Sequence, residues 1–214
     1  YIRAAEKYAP RVKQFTIKRR SAAHDSMKIT DEYASASYLR EAILNNNNDI
    51  RHLTTPAWCD AISEAKRIGE IADIRRLERV ILYMLRTVTP EYLAEINDVG
   101  QGLENRIYNA RMASSLDEIL FTIKTKRYTM ARIRRILLSA LIGIKNSDMK
   151  VPPPYARILA MNERGTDILS KAKTTAKIPF DTSLARISQK SVYAKRFSEL
   201  EIRASDIYGL SLGQ

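Results

Sequence analysis

Apolar residues recur along most of this chain at helical spacing, and at strand spacing in one short stretch. Ile74, Leu77, Ile81, Met84 and Leu85 follow the three-and-four interval of one helix face, which predicts an amphipathic helix packed on one side. Leu116, Ile119, Leu120 and Ile123 repeat the pattern behind Ser115, which forms a capping-box sequence with Glu118. A stronger stripe follows at Ile133, Ile136, Leu137, Ala140, Leu141 and Ile144. Thr55-Pro56 and Thr89-Pro90 each set an N-cap hydroxyl before a proline suited to the first helical position. Residues 1–8 read as the end of a helix already under way. Residues 12–17 (VKQFTI), with Val12, Phe15 and Ile17 apolar, suit a short strand feeding Lys18. The asparagines at 45–48 make a polar break where a boundary or flexible loop belongs. Pro152, Pro153 and Pro154 close the central unit, and Tyr155 opens one more helix before a less regular tail. Strand signal after Ile17 is slight and no repeat is evident, so the expected class is mainly α. Half a helix, one strand and a basic loop at the start predict a domain that is cut open there.

Composition sharpens this picture at one point. The hydrophobic fraction of 45% and charged fraction of 28% are ordinary for a globular protein, but the net charge of +12 is not. Clustered Lys and Arg gain affinity for phosphates by releasing counterions, so this surplus fits a polyanionic partner as well as a merely basic surface. A single cysteine, Cys59 after Trp58, excludes an internal disulfide, fits a reducing cytosol and reads as a core residue. No apolar run approaches the roughly 20 residues of a membrane span, and no signal-peptide pattern opens the chain. A soluble, cytoplasmic chain is expected.

Three stretches carry chemical interest. Lys18, Arg19 and Arg20 follow the candidate strand, where a basic cluster can hold phosphates over the crevice of an open sheet. A solvated basic loop is the plainer reading. Residues 35–40 (SASYLR) open a helix. Ser35 and Ser37 can donate to phosphate oxygens while first-turn amides favour the negative charge, and Arg40 can add a bidentate fork. An ordinary serine cap with a surface arginine is the plainer reading. Residues 124–135 (KTKRYTMARIRR) put Arg132 and Arg135 opposite the apolar stripe, after a basic turn of Lys124, Lys126 and Arg127. Tyr128 in that turn offers a ring for stacking on a base. Residues 111–150 hold nine Lys or Arg against three Asp or Glu, so the charge is locally concentrated. A solvated face of a structural helix is the alternative.

Other chemistry is missing. His24 and His52 are the only histidines, which leaves no HxGH adenylyl-transfer signature, no histidine-based metal triad and no catalytic residue within this chain. Neither a Gly-rich phosphate loop nor a suggestive carboxylate pair is present.

Taken together, the motifs resemble one family. QGLENRI (101–107), TKRYTMARIRRIL (125–137) and RASDIY (203–208) occur in the order and approximate spacing of the tRNA(Met) cytidine acetate ligases. IKR (17–19) and SASYLR (35–40) look like the closing motifs of that family's nucleotidyltransferase domain. Gln101 stands where the family usually has glutamate, and residues 22–25 (AAHD) match its loop only loosely.

The resemblance implies a remnant of a Rossmann-like α/β nucleotidyltransferase domain over residues 1–47, followed by an all-helical, tRNA-binding domain over 48–214. The HxGH motif of that first domain would lie upstream of Tyr1, so this chain alone would be inactive. The implied reaction activates acetate with ATP, accompanied by Mg2+, to acetyl-adenylate. The acetyl group then passes to N4 of the wobble cytidine of elongator tRNA(Met). By the same carry-over, Lys18, Arg19, Ser35, Ser37 and Arg40 would line the nucleotide phosphates. Lys124, Lys126, Arg127, Tyr128, Arg132 and Arg135 would hold tRNA. Two other classes compete: a non-catalytic RNA-binding helical module, and a small-molecule adenylyltransferase, which would not need the long basic extension.

Overall fold

The computed structural model describes residues 1–18, 27–29, 33–47 and 50–213. The chain divides into two compact units, Tyr1–Ile71 and Ala72–Gln214. Residues 50–71 cluster with the first unit.

In the first unit, α1 (Ile2–Tyr8) buries no side chain. Residues 13–18 form no strand, and Phe15 and Ile17 are 86% and 96% exposed. The strand expected at 12–17 is thus corrected. A strand exists only through ladder bonds to a neighbour, and none pairs with this segment among the described residues. Helix α2 (Ala36–Leu44) starts where Ser35 accepts the amide of Tyr38 at 3.0 Å. It stops at the asparagine run: Asn45 caps it, and Asn46 turns the chain with φ 55°, a conformation asparagine tolerates better than most residues. Ala42 and Ile43 of α2 bury with Ile50 into a small core, against which Leu39, Trp58 and Ile62 pack. Helix α3 (Pro56–Arg67) has its proline at the first position, but the Thr55 hydroxyl makes no capping bond. Thr54 instead meets Cys59 Sγ at 3.0 Å, which leaves the cysteine half-buried beside a hydroxyl.

The second unit has a much larger core. A 3₁₀ turn (Ile74–Leu77) runs into α4 (Glu78–Thr87), so the predicted stripe is real but begins in tighter geometry. Helices α5 (Pro90–Glu95), α6 (Leu103–Asn109), α7 (Leu116–Ile123) and α8 (Met130–Ile142) follow. Ile81, Leu85, Leu93, Ile107, Ile119 and Ile133 are at most 1% exposed within their shared core. Ser115 accepts the Glu118 amide as the capping box requires. Glu118 reaches one residue further back than expected, to the amide and hydroxyl of Ser114. Helix α8 ends at Gly143, with φ 84°. That positive φ favours glycine; a Cβ there would stand 2.8 Å from Arg203 Nη1, the mobile end of a side chain that donates to the Ile142 carbonyl, and would displace only that group.

The remainder corrects two expectations. Residues 48–214 are not all helical: β1 (Ala156–Arg157) pairs in parallel with β2 (Phe180–Asp181), with α9 (Glu163–Ala172) between them in sequence. The tail is not irregular either. After α10 (Leu184–Ser188), α11 (Val192–Leu210) runs for 19 residues. Its buried residues are only Ala194, Ser198 and Leu200, too few to write an apolar stripe. An ion pair ties α11 to the turn after α8. Arg196 donates to Asp148 at 3.1 and 2.9 Å and to the Gly143 carbonyl at 2.6 Å, while Asp148 also accepts the Lys145 amide at 2.8 Å. The Arg196 hydrogen bonds, chiefly, hold the Asp148 carboxyl below its usual range.

Candidate functional site

The candidate residues fall in two segments, one in each unit. In the first unit Lys18 is exposed. Arg19 lies outside the described residues, as do Arg20 and His24. Ser35 is 1% exposed, with its hydroxyl accepting the Tyr38 amide, so its first role is to cap α2. Ser37 is partly buried two residues on, in the first turn of α2, and Arg40 is exposed. Arg40 lines a groove of about 430 Å³ with Leu39, Ile43, Thr54, Thr55 and Trp58. The groove is largely apolar, with Arg40 and the two threonines as its polar residues. Chemically it suits a flat or apolar body that carries an anion.

In the second unit Arg127, Tyr128, Arg132 and Arg135 turn toward one loop, 98–102 between α5 and α6. Arg135 Nε donates to Asp98 Oδ2 at 3.1 Å, and its Nη2 bonds the same oxygen. Arg132 Nη2 donates to the Asp98 carbonyl at 2.9 Å. Arg127 donates to the Gln101 side chain. Tyr128 is 7% exposed, belongs to the hydrophobic core and donates its hydroxyl to the Gln101 carbonyl at 3.4 Å. The ring is therefore not presented for stacking on a base. The apolar core competes for it more strongly than solvent does, and Arg132 lies over it at 5.4 Å.

This motif is thus partly a structural lock between α8 and the loop. Of its cations, Lys124 and Lys126 are exposed without an ion pair among the described residues. Arg134, exposed on α8 and likewise without one, was missed because it lies on the flank of the helix. Asp98 and Gln101 were missed as partners because their pairing is 26 to 37 residues distant in sequence. Local glycines at 100 and 102 hinted at the turn but not at what it would hold. Arg106, within the second family motif, donates to the Thr122 and Ile123 carbonyls at 2.6 and 2.9 Å and so caps the end of α7.

No group of His, Cys, Asp or Glu able to hold a metal ion occurs among the described residues. Among those residues no helix is long and apolar enough to cross a membrane.

Comparison with known proteins fits these segments into a family. The chain is 33% identical to a tRNA(Met) cytidine acetate ligase of Alkaliphilus metalliredigens, over 99% of this chain and 52% of that protein. It is 32% identical to the protein of that name from Staphylococcus haemolyticus, over 100% of this chain and 54% of the relative. The chain thus spans about half the length of the curated relatives it matches. The fold is that of Thermotoga maritima TmcAL, whose apo crystal structure (form I) superposes with a TM-score of 0.82 at 23% identity. That match covers 100% of this chain and 54% of that one. A second crystal form, bound with alpha-thio ATP, superposes with a TM-score of 0.74 at 20% identity over 87% of this chain and 49% of that one. The family model for HIGH Nucleotidyl Transferase matches residues 1–214 from end to end, and the chain belongs to that family.

Proposed function

We propose that this chain is part of a ligase that activates acetate with ATP and acetylates N4 of the wobble cytidine of elongator tRNA(Met). The observation that carries this reading is the similarity along essentially the whole chain to proteins named tRNA(Met) cytidine acetate ligase. In the first step an acetate oxygen attacks the α-phosphorus of ATP and pyrophosphate leaves. In the second, the cytidine N4 attacks the acetyl carbonyl, AMP leaves, and the N4 proton is lost.

Lys18, Arg19 and Arg40 would neutralise the charge that builds on the leaving pyrophosphate and Ser37 would donate a hydrogen bond to it, where preorganised donors act on the transition state. Ser35 would serve them by fixing the start of α2. Mg2+ would enter on the nucleotide's phosphates, with waters completing its shell, rather than in a cage of protein ligands. The cations of 124–135 would take the tRNA backbone. In this reading residues 1–47 belong to the nucleotidyltransferase domain and 48–214 to the tRNA-binding part. The assignment to the cytoplasm, where tRNA is modified, rests on the same ground.

A second reading, a non-catalytic RNA-binding module, is favoured by one observation: His24 and His52 are the only histidines, and no HxGH motif is present. Pyrophosphate release and tRNA binding separate the readings. With ATP and acetate, this chain alone is expected to release no pyrophosphate, whereas a version extended to the length of its relatives does so. A silent extended protein that still binds tRNA would favour the module. For tRNA, log affinity should fall with log salt by roughly 0.7 to 0.9 per phosphate contact. A flat response would remove the RNA role from both.

A further inference from the structure

Plain electrostatics treats Asp98 as a blemish on a basic surface, since it puts a carboxylate among Arg127, Arg132 and Arg135. Its geometry argues otherwise. Asp98 has φ 70° and Gln101 has φ 59°, left-handed conformations that non-glycine residues adopt at a cost, two of them within four positions. The arginines bind the loop held in this conformation. Both bonds from Arg135 to Asp98 use the Nε and Nη2 side of the guanidinium. That leaves Nη1 and the second N–H of Nη2 for another acceptor, on a side chain that is 58% exposed. Those donors can grip two oxygens of a phosphate. Arg132 is tied by Nη2 to the Asp98 carbonyl, and its Nε stands 3.3 Å from Asp98 Oδ1 without a hydrogen-bond partner. A single residue thus fixes two arginines a helical turn apart, one through its side chain and one through its backbone.

We propose that Asp98 is a positioning residue, which holds Arg135 and Arg132 as a preoriented fork for phosphates of an RNA backbone. The proposal rests on the RNA-binding reading above and adds what orients the contact. A free arginine must lose side-chain freedom on meeting a phosphate; an arginine held from behind has already lost it.

The test sets orientation against charge. Asp98→Gly suits the positive φ, removes the acceptor and raises the net charge by one. Asp98→Asn removes the same charge, keeps an acceptor oxygen and also suits the backbone. Affinity for a labelled tRNA(Met) transcript is measured across a salt series. Positioning predicts that Asp98→Gly binds about 3- to 10-fold more weakly, with a shallower salt slope, while Asp98→Asn stays within about twofold of wild type. In an Arg135→Ala background, Asp98→Gly should have little further effect. Tighter binding by both variants would make Asp98 only a neutralising charge and overturn the proposal, and Asp98→Asn alone decides this if the glycine variant fails to fold. An undiminished loss in the Arg135→Ala background would also overturn it, because the effect would then run through the fold. Failure of the wild type itself to bind would sink the RNA reading together with this one.

Discussion

Two basic segments stand beside helix starts in this chain, and the fold treats them in opposite ways. In the first unit Lys18 and Arg40 are exposed without ion pairs among the described residues, on a scaffold whose buried core is Ala42, Ile43 and Ile50. In the second, Arg127, Arg132 and Arg135 are tied to a neighbouring loop over a core that runs from Leu77 to Ala140. Cations on a thin scaffold are available but weakly oriented. Cations on a thick one are oriented but partly neutralised. A binding surface needs both properties, and the lesson is that a sequence motif reports neither. The core decides.

The largest expected effect tests the cores themselves. Ile133→Ala empties a fully buried site in the second unit and should cost roughly 3–5 kcal/mol, whereas Ile43→Ala, in the small core, should cost about 2 kcal/mol. Trp58, the only tryptophan, lies in the first unit, so its fluorescence follows that unit while far-ultraviolet circular dichroism is weighted to the helices of the second. In a denaturant titration Ile133→Ala should shift the dichroism midpoint more than the fluorescence midpoint. Equal shifts would mean that the units unfold together and that the contrast has no thermodynamic content.

Next comes the Asp148–Arg196 pair. Asp148 is 8% exposed, and Arg196→Met would leave its carboxylate with the Lys145 amide alone, at a cost of roughly 2–3 kcal/mol. The pair also predicts a pH dependence. A carboxyl whose folded pKa is depressed stabilises the fold fully above its unfolded value, near 3.9, and loses that contribution as pH falls through the folded value. Thermal stability of the wild type should therefore drop below about pH 4, and Arg196→Met should drop less over that window. Asp181, held low chiefly by its bonds to Arg186, is the same in both proteins, so the difference between them isolates Asp148. Parallel curves would show that the pair contributes nothing specific.

Arg40 tests the available half of the comparison. In a protein extended to the relatives' length, Arg40→Ala should remove a charge-assisted contact to the nucleotide phosphates. Such a loss costs about 1.5–3 kcal/mol, or roughly 10- to 150-fold in pyrophosphate release. Binding of tRNA should barely change. Loss of tRNA binding with adenylation intact would mean that the two segments have been assigned the wrong way round.

How far all this could be read in advance depended on whether the determining contact was local. The helix starts at Ser35, Thr89 and Ser115 were legible because each cap is made within three residues. So were the stripes of α4, α7 and α8, since burial on one face imposes its period on the sequence. Helix α11 escaped because it buries small and polar residues such as Ala194 and Ser198. The strand expected at 12–17 showed the converse: suitable residues make no strand where none pairs with them among the described residues. Within the site, the cations were found and their partners were not. Nothing near Arg135 in the sequence announces Asp98, and nothing near Tyr128 announces that its ring lies in the core.

The smallest expected effect is also the sharpest division within the second unit. Lys124 and Lys126 touch no carboxylate among the described residues, so changing both to alanine should leave thermal stability within about 0.5 kcal/mol. If each meets a phosphate, the log–log salt slope of tRNA binding should flatten by roughly 0.7 to 0.9 per lysine. Arg132→Ala should behave differently. It removes the donor to the Asp98 carbonyl and the cation over Tyr128, so it should lower stability by about 1 kcal/mol as well as weakening binding. A change at Arg132 or Arg135 therefore mixes two effects that the lysine pair keeps apart. Unfolding and salt titration on the same variants separate them. If the lysine pair destabilises the fold, or Arg132→Ala leaves it untouched, then the division between anchored and available cations is wrong, and the motif must be read as one surface.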